Sequence, residues 1–175
     1  MKQRGFTLIE MLVVMAIISL IATMLVPSLG RARRYAKRVS CITNLKAIGI
    51  GWVMYMEEYI KDVPPAVSLP LKDDGPEVIH ITEVMKDYVN AHEVWRCLSD
   101  DVEYFVDKGT SYEYYPGWFI STGSNPEQIR YRLDEHPAKW AVIVDAEAFH
   151  PTSNDLEGRQ ALYHDGHADW FLKNE

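Results

Sequence analysis

The chain has 175 residues, a formal net charge of -7 and two cysteines; with about 30 residues assigned to an N-terminal segment, what remains makes one domain with a single modest core. Charge is divided unevenly, since residues 1 to 38 carry seven Lys/Arg and one acid while the rest carries eleven Lys/Arg against twenty-four Asp/Glu. So acidic a body repels phosphate backbones, which argues against nucleic-acid binding and leaves divalent cations as its natural ionic partners.

The first predicted element is the apolar run from Phe6 to Val26, 21 residues that make a helix about 32 Å long and match the hydrocarbon core of a bilayer. Lys2 and Arg4 precede it, and Arg31, Arg33, Arg34, Lys37 and Arg38 follow it, so basic residues alone do not orient it. A secretory signal has a shorter apolar core and a small-x-small cleavage site. Here the nearest such site is Ser28-Leu29-Gly30, and the length favours an anchor. Glu10 lies inside the run, where burial in lipid costs roughly a few kcal/mol and calls for a compensating role.

The stretch Lys2-Gln3-Arg4-Gly5-Phe6-Thr7-Leu8-Ile9-Glu10 resembles the class III signal of type IV pilins and type II secretion pseudopilins. The resemblance implies a leader at 1–5, a membrane segment at 6–30 and a head at 31–175 that includes the second half of the helix. It implies cleavage between Gly5 and Phe6 by a membrane-embedded prepilin peptidase, N-methylation of Phe6, and assembly through Glu10, whose carboxylate neutralises the new amine of a neighbouring subunit. Pro27 falls where the family commonly kinks its helix. The family topology places the leader in the cytoplasm and everything after Pro27 beyond the inner membrane, in the periplasm or an extracellular filament. Other pilin or pseudopilin subunits, the inner-membrane assembly platform and membrane lipid are the implied partners.

From Val39, Ile42, Leu45, Ile48, Trp52, Met56 and Tyr59 recur at spacings of three and four, which predicts that the helix continues as an amphipathic stripe and packs on a sheet. Gly49 and Gly51 weaken such a helix by about 1 kcal/mol each relative to alanine; they mark either a close approach or a local bend. Residues 63 to 76, with four prolines, read as a loop, and Ile81 to Tyr88 as a short helix with Thr82 as its cap. Ser111 to Ser121 reads as an aromatic strand pair interrupted by Pro116-Gly117, and Trp140 to Ala146 as a central strand. Ala161–His164, Asp165-Gly166 and His167–Leu172 follow the pattern of a hairpin with a two-residue type I′ turn. The fold class is therefore α+β, a pilin-like long membrane-spanning helix packed on a small antiparallel sheet.

Cys41 and Cys97 suggest one disulfide in an exported domain, the alternative being two unpaired cysteines. The landmarks Cys41-x-x-Asn44-Leu45-Lys46, Tyr55, Pro64-Pro65, Arg96-Cys97-x-Ser99-Asp100 and Asp165-Gly166-His167 also resemble a group of bacterial pseudopilin-like proteins, with Leu98 standing where that group has proline. His164, Asp165, His167 and Asp169 crowd the last hairpin while Asp145, Glu147 and His150 leave the preceding strand. Asp145, His164, His167 and Asp169 are thus the residues of an alternative reading, a membrane-tethered metallohydrolase. Asp100, Asp101, Asp145 and Asp169 offer hard oxygen ligands for the structural Ca²⁺ that major pseudopilins hold, without a spaced loop motif. The aromatic stretch from Tyr112 to Phe119, with Tyr114, Tyr115 and Trp118, reads as core and strand pairs or as a partner or carbohydrate surface. The preferred reading has no catalytic residues: a subunit of a type II secretion filament, with a type IV pilus subunit for adhesion, motility or DNA uptake as its nearest rival.

Overall fold

The computed structural model describes residues 7–59, 63–66, 79–121, 123–150 and 158–171. Gly5, Phe6, most of the proline-rich loop and the side chain of Trp118 lie outside them. A long N-terminal helix, α1 (Leu8–Glu58), is followed by α2 (Ile81–Val84), a 3-10 turn at His92–Trp95, α3 (Tyr104–Lys108), β1 (Tyr112–Tyr114), α4 (Tyr115–Ser121), α5 (Pro126–Glu135), β2 (Ala141–Asp145), β3 (Gln160–Tyr163) and β4 (Ala168–Trp170). The strands form one antiparallel sheet in the order β1-β2-β3-β4, and the architecture is α+β and pilin-like.

The chain divides into two compact units, Met1–Ala36 and Lys37–Glu175. In the first, the described residues are the opening turns of α1, whose large side chains from Leu8 to Leu29 are exposed. This helix is long and apolar enough to cross a membrane. Its hydroxyls are satisfied on the helix itself, with Ser19 donating to the Met15 carbonyl, Thr23 to Leu20 and Ser28 to Leu25, so lipid need supply no partner. Pro27 lies inside α1 and leaves the Thr23 carbonyl without its usual intrahelical donor.

In the second unit α1 buries Cys41, Leu45, Ile48, Trp52 and Tyr55. Of the predicted stripe Leu45, Ile48 and Trp52 are buried, Ile42 and Met56 are half-buried and Tyr59 is exposed, so the buried face lies one residue toward the N-terminus at both ends. The buried side chains join Tyr112, Tyr114, Val142, Ile143 and Leu162 in the main core. Each large apolar side chain so buried contributes roughly 1.5–3 kcal/mol. A smaller cluster of Ala141, Val144, Ala161, Tyr163 and Phe171 lies apart from it. Because β2 contributes to both clusters, all five of its residues are buried, which is why it reads as an unbroken apolar run. A bulge between Ala141 and Ile143 lets the adjacent Val142 and Ile143 both enter the main core.

Three predicted elements are corrected. The residues after Tyr114 form α4 instead of a second strand: Pro116 stands in the first turn, where its missing N–H is harmless, and Tyr115 meets Phe119 edge-on one turn later. The helix at Ile81 stops at Val84, and its N-cap is His80 without a side-chain bond, so Thr82 caps nothing. The last hairpin has a three-residue loop, not a two-residue one. Gly166 N–H donates to the Tyr163 carbonyl and Tyr163 N–H to the His167 carbonyl. Gly166 has φ of +87° while Asp165 is not left-handed, so a turn plus a glycine bulge replaces type I′. Sequence reading also passed over α5, although Asn125 accepts a hydrogen bond from Glu127 N–H and Pro126 takes the first helical position.

The two helical glycines mark close approaches. A Cβ on Gly49 would lie 2.7 Å from Leu162 Cδ1 and 2.9 Å from the Gly166 carbonyl oxygen, and one on Gly51 would lie 2.5 Å from Val89 Cγ2. Gly49→Ala should therefore destabilise the chain by on the order of 1–3 kcal/mol. Gly30→Ala, whose methyl would meet only the Arg34 side chain at 3.9 Å, should melt at the wild-type temperature or slightly above it. Thermal denaturation in detergent compares the two, and equal melting of Gly49→Ala and wild type would remove the close contact from the account.

Candidate functional site

Three groupings of polar residues stand out, and they answer different parts of the sequence reading. The first is at the start of α1. Thr7 precedes the helix, and Glu10 Oε2 accepts hydrogen bonds from Thr7 N–H at 2.8 Å and Thr7 Oγ1 at 2.7 Å. Glu10 N–H points back at Thr7 Oγ1, 3.4 Å away. Thr-Leu-Ile-Glu is thus a capping box, in which a threonine and a glutamate three residues on satisfy each other's backbone. The glutamate that looked anomalous in an apolar run has a local partner within its own chain.

The second grouping is the loop of the last hairpin, which seats on α1. His164 Nδ1 accepts a hydrogen bond from Trp52 Nε1–H at 3.2 Å, and its Nε2 lies 3.4 Å from Asp134 Oδ1 on α5. The ring therefore ties the loop to two helices, as the tautomer protonated on Nε2. Asp165 Oδ1 accepts from His167 N–H and meets His167 Nδ1, closing the turn, and His167 stacks on Tyr163 at 4.4 Å. Asp-Gly-His is a device for shaping a loop that lies against a helix.

The third grouping is buried. Cys41 on α1 and Cys97 are joined in a disulfide, with Cα atoms 5.0 Å apart. Leu98 N–H donates to Cys41 Sγ at 3.1 Å, and Asn44 Nδ2 donates to the Arg96 carbonyl at 2.8 Å, so backbone and bridge together fasten this turn to the helix. Cys97 Sγ lies 3.5 Å from His150 Nε2, and the same nitrogen lies 3.5 Å from Asp145 Oδ2. Asp145 Oδ2 also accepts from Gln160 N–H at 2.7 Å. Burial pushes the Asp145 carboxyl up to about 8 against the pull of that N–H and of Arg159, and burial, with Arg38 nearby, pushes the His150 imidazole down to about 4. Both groups are neutral near pH 7.

The candidate metal ligands of the sequence are dispersed. Asp100 accepts from Tyr104 N–H, Phe105 N–H and Ser111 Oγ, positioning α3 and the entry to β1. Asp101 is exposed, Asp169 is exposed on β4, and His164 and His167 are engaged in the loop. Among the described residues, the metal-capable group whose ligand atoms converge is Cys41, Cys97 and His150. Only its cysteines were singled out as a pair, because His150 lies 53 residues from Cys97 and no local spacing links them. Of the aromatic stretch, Tyr112 and Tyr114 are fully buried and belong to the core.

Residues 1–26 match the family model described as the prokaryotic N-terminal methylation motif. This is the prepilin-type signal of type IV pilins and pseudopilins. It implies processing by prepilin peptidase and assembly with other pilin subunits. No curated protein and no solved structure matches the chain. The motif supports a pilin-like subunit, and with the apolar helix it is consistent with a single-pass, membrane-anchored protein.

The Trp52–His164 bond makes the loop sensitive to pH. Burial holds the His164 imidazole below its usual range, against the pull of Asp134. As the pH falls the unfolded chain protonates first. The stability contributed by neutral His164 is thus full above about pH 6.5 and is lost as the pH drops through the lower folded value. Thermal melts from pH 8 to pH 4 should fall less steeply for His164→Gln than for wild type, and parallel profiles would show that the ring's protonation is not felt by the fold.

Proposed function

We propose that the chain is a filament-forming, pseudopilin-like subunit of a type II secretion system, cut between Gly5 and Phe6, N-methylated on Phe6 and assembled through α1. The observation that carries this reading is the coincidence of the methylation motif at residues 1–26 with a helix whose large apolar side chains from Leu8 to Leu29 are all exposed. That surface needs lipid or neighbouring helices of the same kind to cover it. Cleavage frees the Phe6 amine beside a helix start already rich in unpaired N–H groups. In a filament, Glu10 of one subunit leaves its Thr7 contacts and pairs with the Phe6 amine of the next.

The head then lies in the periplasm or along the outer surface of the filament and works as a mechanical part, without catalysis. An acidic head, with twenty-four Asp/Glu against eleven Lys/Arg after residue 38, weighs against DNA uptake. Gene deletion followed by assays of protein export and of twitching separates a secretion filament from a pilus.

The first test is the intact mass and N-terminal peptide of the membrane-extracted chain, expressed with and without prepilin peptidase. The expected product begins at N-methylated Phe6 only when the peptidase is present. Glu10→Ala should be processed but should fail to enter sheared or cross-linked filaments. A chain that keeps Met1 in the presence of the peptidase, or is cut near Gly30, would overturn the proposal.

A further inference from the structure

The bridge beneath α1 has more chemistry around it than a bridge requires. A disulfide that only cross-links is served by apolar neighbours, whereas here an imidazole nitrogen lies 3.5 Å from Cys97 Sγ and a carboxylate oxygen lies 3.5 Å from that nitrogen. Cys41, Cys97, Asp145 and His150 are all buried, none more than 3% exposed. Burying two ionisable groups without full partners is costly. Among the described residues Asp145 Oδ1 nonetheless has no hydrogen-bond partner, and neither does the buried side-chain amide of neighbouring Gln160.

The spacing suits a cation. A tetrahedral ion bound at about 2.3 Å to sulfur and about 2.0 Å to nitrogen sets its ligand atoms about 3.3 to 3.8 Å apart. The nitrogen–sulfur separation of 3.5 Å falls in that range, and the two sulfurs and the ring nitrogen lie within 4.8 Å of one another. Asp145 Oδ2 lies 3.5 Å from the nitrogen but is not one of that converging group. The ligands come from three separate places in the fold: α1, the turn after the 3-10 segment and the segment beyond β2. The site is therefore held by tertiary structure and not by one flexible loop.

We infer that, when Cys41 and Cys97 are reduced, this chain binds one thiophilic cation, with Zn²⁺ as the reference ion, on the two thiolates and His150 Nε2, with the fourth position left to a solvent or exogenous ligand. The disulfide and the metal are two closures of one site, and each fastens α1 to the turn at Cys97. Conversion of the metal form to the bridged form needs a two-electron oxidant of the disulfide class, such as the oxidised form of a dithiol oxidoreductase. One thiolate attacks the donor's S–S bond, and the second displaces the donor from the mixed disulfide. The Cys41–Cys97 bond forms, the donor's S–S bond breaks, its two sulfurs leave as thiols with two protons from solvent, and the cation is released.

The test uses the full untagged chain in detergent, either oxidised or reduced with a phosphine and exchanged without air. Zinc is measured by mass spectrometry after gel filtration, and Co²⁺ by its thiolate charge-transfer absorption. The expected result is about one ion per reduced chain and none per oxidised chain. Cys41→Ser and Cys97→Ser should lose the cobalt band, and His150→Gln should weaken binding about tenfold or more. Limited proteolysis reports folding throughout. If the reduced chain opens without metal, protection restored by Zn²⁺ supports the site, and failure of Zn²⁺ to restore it overturns the proposal. So does a folded, reduced wild-type chain that binds no ion, or binding that His150→Gln leaves unchanged.

Discussion

The head depends on the closeness with which α1 meets the sheet and its last hairpin. At Gly49 no methyl group fits between the helix, Leu162 and the Gly166 carbonyl, so helix and loop approach at backbone distance. Gly166 must be glycine for a second reason, since its φ of +87° closes the three-residue loop. Once these two glycines meet, Trp52 is brought to the ring of His164 and Leu45 and Ile48 are laid into the core. Asp134 on α5, bonded also to Arg130, then holds the far side of the imidazole. Two residues with almost no side chain thereby decide where the large ones go.

The opposite arrangement operates around Cys97. There the helix meets the turn through a disulfide, with Cα atoms 5.0 Å apart, and an imidazole and a carboxyl group lie beside the bridge. Burial drives His150 and Asp145 toward their neutral forms, and neutrality lets both stay inside a folded core. Among the described residues Asp145 Oδ1 is short of a partner. The fold thus keeps a polar interior where an apolar one would be simpler, and it does so where the chain also places its only two cysteines.

Much of this was legible in the sequence because its signals are local. The middle of the stripe on α1 and the unbroken run of β2 each lie within a few residues, and periodicity reports them directly. The Thr7–Glu10 box is as local but is masked when Glu10 is read only as a charge in an apolar run. Where reading failed, one pattern served two structures. Asp-Gly between apolar runs fits a two-residue or a three-residue loop, and only the pairing of Tyr163 with His167 decides between them. Aromatic residues after Tyr114 suggested a strand because aromatics favour strands, yet the Tyr115–Phe119 contact is a helical one. The meeting of Cys41, Cys97 and His150 spans more than a hundred residues of chain, and no composition or motif announces it.

α1 is one element written for two solvents. From Leu8 to Leu29 its apolar side chains cover all faces, and each hydroxyl from Ser19 to Ser28 is returned to the helix's own carbonyls. After Lys37 the apolar positions narrow to a stripe, while Ile50, Val53 and Met54 remain on the outer face. In a helix surrounded by lipid, a glutamate is tolerable only if its oxygens have donors at hand. Thr7 provides two of them, so a lone subunit can wait in a membrane with Glu10 satisfied. These are also contacts that a stronger donor, a free amine on a neighbouring helix, would displace. The capping box is thus a resting partner for a carboxylate in an apolar run, and under the proposed assembly it is the contact that a neighbouring chain's amine would replace.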